Sequence, residues 1–196
     1  MNARNAENAR FENRNIASIA EELGKDPRDT AWDLVLEGEG RVMAIYHMMN
    51  EGDIATAMQR PWVSIGSDAG AAVNPGRQDG LGLPHPRSYG TFPRVIKRFV
   101  KELGVLTLEE GIQKMTSWPA TRMRIEDRGV IREGLWADVV VFDLESIGDV
   151  ATYYEPTSFP TGIEWVLVNG DVVIEPGGTH TGARPGHVIY GPGKVN

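Results

Sequence analysis

Apolar residues recur along the chain with more than one period, and each period marks a different kind of element. Ile16, Ile19, Ala20 and Leu23 stand at helical spacing, closed by Gly24 as a C-terminal cap. Asp26 then caps a second helix that has Pro27 at its first position, and Ala31, Trp32, Leu34, Val35 and Leu36 furnish its apolar face up to Gly38. Val42 to Met49 is instead an unbroken apolar run of strand length, the pattern of a parallel strand buried on both faces. Asn50 caps a short helix from Glu51 to about Gln59, and a second apolar strand follows from Trp62 to Ser67. Strand, helix and strand in such close succession predict a βαβ unit.

Further on, Phe92 to Leu103 alternates apolar and basic residues at helical spacing. Thr107-Leu108-Glu109-Glu110 reads as a capping box that opens another helix, running to about Ser117. Beyond Gly129 the period changes to two, with strands expected over Ala137–Asp143 and Ile163–Val168. Asn169-Gly170 joins the latter to Asp171–Ile174, a strong hairpin signal because both turn positions need positive φ. These patterns divide the chain into a polar tail or connection (1–15), an α/β body (16–126), a β-rich portion (127–175) and a Gly-rich tail (176–196). Residues 71–90 include a stretch dense in Gly and Pro and form a long loop, of a length that usually serves function.

Composition narrows the class. With 196 residues, 41% of them hydrophobic, the chain can bury a sizeable core as one domain or two small ones. A net charge of −7 and the lack of a basic cluster argue against a nucleic-acid surface. The longest apolar runs are far too short to span a membrane, and the polar start has no signal-peptide core, so a cytoplasmic location is the default. There is no cysteine, hence no disulfide framework, and no internal repeat.

The chemistry gathers at the end of the second apolar strand. Gly66-Ser67-Asp68 delivers a carboxylate where a buried strand meets a loop, the place at which α/β barrels build their sites. Three more segments follow: His85-Pro86-Arg87-Ser88-Tyr89-Gly90-Thr91-Phe92, then Lys114-Met115-Thr116-Ser117-Trp118-Pro119-Ala120, then Asp127-Arg128-Gly129 running on to Ala137-Asp138-Val139-Val140-Val141-Phe142-Asp143. In that order they resemble the carboxy-terminal part of the amidohydrolase superfamily. The G-S-D strand followed by H-P-R-x-Y-G-T-F is most similar to the N-acyl-D-amino acid deacylases, the D-aminoacylases.

That resemblance implies the last two strands and helices of a metal-dependent (β/α)8 barrel, plus part of a small flanking β-sandwich. It implies zinc-dependent cleavage of the amide bond of N-acyl-D-amino acids. Asp68 would be the proton shuttle beside a metal-bound water, and in two-metal relatives the corresponding Asp also touches a metal. A planar guanidinium suits a free α-carboxylate, which points to Arg87, with Tyr89 able to add a hydroxyl or simply to pack. Met49 and Ser67 are placed at the substrate pocket. The main zinc ligands are expected outside the chain: it has no His-x-His and no Cys, and four histidines, His47, His85, His180 and His187. His47 and His85 read as structural, and His180 and His187 as solvated.

One departure from the family pattern stands out, since Arg122-Met123-Arg124-Ile125 replaces the Leu-Gly-Leu type of segment usual before the D-R-G turn. Alternative readings are a non-catalytic or complementing subunit of a split amidohydrolase, and an amidohydrolase acting on cyclic amides, as dihydroorotases and hydantoinases do. The expected partners are a small-molecule substrate and either the missing amino-terminal barrel half or a second copy of the chain.

Overall fold

The structure, a computed structural model, describes residues 2–3, 7–70 and 84–191. Most of the expected loop 71–90, from residue 71 to residue 83, lies outside the described residues. The chain divides into two compact units: 1–49 with 69–88 and 151–158, and 50–68 with 89–150 and 159–196.

In the first unit, α1 (Ile16–Leu23) and α2 (Pro27–Glu37) begin where local chemistry starts them. The Asn15 side chain accepts the Ser18 N–H, and Asp26 accepts the Arg28 N–H, each satisfying a donor that has no partner within its helix. Gly24 closes α1 in the left-handed conformation, at φ 63°. Ile19 and Leu34 pack with Phe11, which is 2% exposed and belongs to a short 3-10 helix, Asn8–Phe11. The polar start expected as an unstructured tail therefore carries a core residue, because one aromatic side chain contributes more buried area than the surrounding Asn, Arg and Glu can offset.

Val42–Met49 differs from the expected full-length parallel strand. Only Val42–Met43 forms a strand, β2, and it pairs antiparallel with β1 (Asn2–Ala3). A run that is apolar on both faces holds strand geometry only between two neighbours. Among the described residues, 44–49 has none, and its side chains are exposed.

The second unit starts with α3 (Glu51–Met58), capped by Asn50, whose side chain accepts the Asp53 N–H. The helix α4 (Arg87–Arg94) holds Pro93, and the chain continues as a π-helix over Val95–Glu102. Pro93 cannot bond back to the preceding turn and crowds it. The wider turn then carries on to the end, where the Leu103 N–H donates to the Arg98 carbonyl five residues back.

The capping box of Thr107 and Glu110 opens α5 (Leu108–Met115) as the spacing predicts, both reciprocal bonds being present. The chain breaks at Thr116 and restarts as α6 (Ser117–Arg122), with Pro119 in the first turn where its missing N–H costs nothing. The core of this unit is formed by Val95, Ile96, Phe99, Leu106, Ala120 and Ile147. An antiparallel sheet of order β3-β4-β5-β6 follows: Val139–Phe142, Ile163–Val168, Asp171–Glu175 and Thr179–His180. Its central turn has Asn169 at φ 51° and Gly170 at φ 92°. The Gly-rich tail expected from 176 onward thus supplies an edge strand at Thr179–His180. No helix among the described residues is long and apolar enough to cross a membrane.

Candidate functional site

The segment that ends in Asp68 is extended, yet it pairs with no strand among the described residues. Its side chains still alternate: Val63, Ile65 and Ser67 are half-buried while Trp62, Ser64, Gly66 and Asp68 are exposed. Ser67 and Asp68 therefore point to opposite sides. What holds the segment is the carboxy-terminal end of α5. The Ile65 N–H donates to the Lys114 carbonyl at 3.0 Å, and the Lys114 Nζ donates to the carbonyls of Arg60 at 2.6 Å and Val63 at 3.0 Å. The Arg122 guanidinium adds a bond to the Trp62 carbonyl at 3.3 Å. The Trp62–Ser67 strand of the sequence reading is thus an extended arm anchored through helix-borne groups. Asp68 closes it at φ 49°, a left-handed conformation that Asp tolerates better than most residues.

In the first unit, Arg87 is exposed at the start of α4, and its backbone N–H donates to His85 Nδ1 at 3.0 Å. With Nδ1 accepting, a neutral His85 carries its proton on Nε2. The His85 ring meets the Tyr153 ring edge-on at 5.2 Å, and His47 meets the same tyrosine at 5.7 Å. A cavity of about 310 Å³ lies here, lined by Met43, Ile45, Met48, His85, Arg87 and Tyr153 among others. Arg87 is a charged residue of its lining, beside the apolar Met43, Ile45 and Met48. Met49, expected at a pocket, is 80% exposed, and its neighbour Met48 lines the cavity instead. Tyr153 was not singled out from sequence. No motif surrounds it, and only the fold brings it to two histidines.

Tyr89 belongs to the second unit, where its ring packs edge-on against Phe159 at 5.4 Å. Burial pushes its phenol above the usual range, so it is a protonated donor at neutral pH. His180 lies against Phe159, and His187 against Trp136. His187, expected to be solvated, also contacts Arg128 and Asn169 in a network joined by Asp138. Burial opposes ionisation of Asp138, yet the Asn169 N–H and the Arg128 guanidinium outweigh it and hold its carboxyl below the ordinary value.

Among the described residues, no three His, Asp or Glu side chains gather as a metal site. The donor set for zinc is not met by these residues.

With the G-S-D arm, the Arg87 helix and the D-R-G turn in place, comparison with known proteins gives the class. The Amidohydrolase family model matches residues 15–174, and the chain belongs to that family. Within it, the chain is 38% identical over 174 residues to an N-acyl-D-glutamate deacylase of Alcaligenes xylosoxydans xylosoxydans, covering 89% of this chain and 33% of that protein. It is 36% identical over 181 residues to a D-aminoacylase of the same organism, covering 90% and 34%. Among solved structures, an N-acyl-D-glutamate deacylase from Bordetella bronchiseptica, complexed with zinc and a phosphonate mimic of the tetrahedral intermediate, superposes with a TM-score of 0.72 at 36% identity. That match covers 87% of this chain and 34% of the solved one. The chain spans about a third of the length of these relatives, and its structure is consistent with a part of their α/β fold.

Proposed function

We propose that this chain is the carboxy-terminal part of a zinc-dependent N-acyl-D-amino acid deacylase, with residues 16–126 forming barrel and 127–175 forming part of a flanking sandwich. The observation that carries the reading is identity to deacylases across nine-tenths of the chain, the matched stretch including both the G-S-D arm and the H-P-R segment. The exposed Ile45, Tyr46, Met48, Met49 and Trp62 support it, since in a barrel they would meet neighbouring strands.

In the reaction, water adds to the acyl carbon, the carbon–nitrogen bond breaks, and a carboxylate and a D-amino acid leave. The Asp68 carboxylate takes the proton from water and gives it to the departing nitrogen, so it ends as it began. Arg87 holds the α-carboxylate through two parallel bonds, and the protonated Tyr89 phenol is a further donor for it. The zinc of the complete enzyme would be held by donors outside this chain, whose described residues do not provide the set.

The H-P-R-x-Y-G-T-F segment, together with identity to deacylases over 89–90% of the chain, sets the cyclic-amide alternative behind. The test is to complement the chain with the portion of a family member it does not span, and to assay N-acetyl-D-amino acids against their amides. Release of D-amino acid from the acid forms is expected. Turnover of cyclic amides alone would overturn the reading, and an inert complex would favour a non-catalytic subunit.

A further inference from the structure

Among the described residues, Lys114 is a cation without an anion. It is 7% exposed, it sits in the last turn of α5, and its ammonium bonds two carbonyls with no carboxylate among its partners in the described residues. Burying an ammonium is costly unless its protons are used, and a Met or Leu here would fill similar space without that cost. Packing alone therefore does not explain the charge. Direction does: three bonds, two from Nζ to the Arg60 and Val63 carbonyls and one to the Lys114 carbonyl from Ile65, grip a stretch that no β-neighbour holds among the described residues. The turn they grip is itself closed by the Val63 N–H on the Arg60 carbonyl. Asp68 lies three residues past the last of these bonds, so any slip of 60–65 along α5 is carried straight to its carboxylate. The helix C-terminus also favours a cation at this end, which makes the ammonium tolerable where it is needed.

We infer that Lys114 is a positioning residue for Asp68, fixing the register of the arm on which that carboxylate is delivered. The inference rests on the proposed role of Asp68 in proton transfer. Its substrate contact is nil; it acts through residues 60–65.

Two measurements test it. In the chain itself, amide hydrogen exchange over 62–70 is compared between the parent, Lys114→Met and Lys114→Arg, with the hairpin 163–175 as internal reference. Lys114→Met should speed exchange in the arm by roughly tenfold or more with the hairpin unchanged, and Lys114→Arg, which keeps a charged donor, should recover part of the protection. No change in the arm would overturn the inference. Should Lys114→Met loosen the hairpin too, Lys114→Gln is read in the same way, and equal acceleration of arm and hairpin in both variants also overturns it.

In the complemented deacylase, kcat and KM are measured for Lys114→Gln, Asp68→Asn and the double variant. Positioning predicts a fall in kcat of roughly tenfold or more for Lys114→Gln with KM little changed, and no further fall when it is added to Asp68→Asn. Losses that multiply would overturn the positioning role while leaving Asp68 catalytic. A normal kcat for Asp68→Asn would overturn the Asp68 reading instead, a failure separable from that of Lys114 because the exchange result stands by itself.

Discussion

Arg124 ends α6 in a turn of Schellman type: the Ile125 N–H donates to the Ala120 carbonyl at 2.9 Å, and the Arg124 N–H to the Thr121 carbonyl at 3.1 Å. That geometry puts Arg124 at φ 55°, and its side chain is exposed with no hydrogen bond among the described residues. A side chain in the left-handed region costs about 1–2 kcal/mol, while a glycine there loses roughly 0.5–1 kcal/mol through a more flexible unfolded chain. Arg124→Gly should therefore stabilise the chain by about 0.5–1 kcal/mol, which for a chain of this size is a rise in Tm of about 1–4 °C. Urea midpoints and thermal scans of the purified chain read this directly. Arg124→Ala is the control, because it removes the charge and keeps the Cβ, and it should gain nothing comparable. An Arg124→Gly chain no more stable than the parent, or an Ala variant that matches it, would refute the backbone argument and leave the arginine as a surface choice.

Asp68→Asn in the complemented enzyme should lower kcat by roughly a hundred- to ten-thousand-fold with substrate binding largely kept, read from steady-state kinetics on one N-acetyl-D-amino acid. Arg87→Ala should weaken binding of substrates with a free carboxylate by about 1.5–3 kcal/mol and leave their amides nearly indifferent, whereas equal loss on both would show that Arg87 holds the α4 start. Gly129→Ala should destabilise the D-R-G turn by roughly 2–4 kcal/mol, because a Cβ there would lie 2.7 Å from that of Ala120 at φ 89°, and a urea midpoint close to the parent's would refute it. The Asp138 carboxyl is held below the ordinary Asp range, so the stability it contributes is present above that range and is lost as pH falls through its lowered folded value; Asp138→Asn should flatten the loss in urea midpoint between about pH 6 and about pH 3.

Where an element is closed by its own residues, the sequence described it well. The caps Asp26, Asn50 and Thr107 start helices at the positions their spacing predicts, and Asn169-Gly170 turns the hairpin, because each depends on partners within a few residues. The two apolar strands fared differently. Their apolar pattern is real, but a strand is completed by a distant neighbour, and among the described residues neither 44–49 nor 63–70 meets one. Phe11 was missed for the opposite reason: a lone aromatic in a polar run has no period, and only the arrival of Ile19 and Leu34 makes it core.

The candidate site shows the same divide. The readings of Asp68 and Arg87 come from the motifs around them, whereas Lys114, though it stands in a motif, and Tyr153 lie fifty or more residues from most of what they touch. Lys114 opens the Lys114 to Ala120 segment, yet a basic residue at the end of an apolar helix face reads first as a favourable charge at a helix C-terminus. The feature that distinguishes it is burial with carbonyl partners alone, which composition and periodicity do not carry. A single basic residue can thus look like helix chemistry in sequence and act as arm chemistry in space. If the arm is as dependent on it as the three bonds imply, the sensitivity of Asp68 to substitution should extend to a helix distant in the chain, while the likewise buried but locally satisfied Thr30, whose hydroxyl donates to the Asp26 carbonyl, should affect stability of its own unit and nothing at the carboxylate.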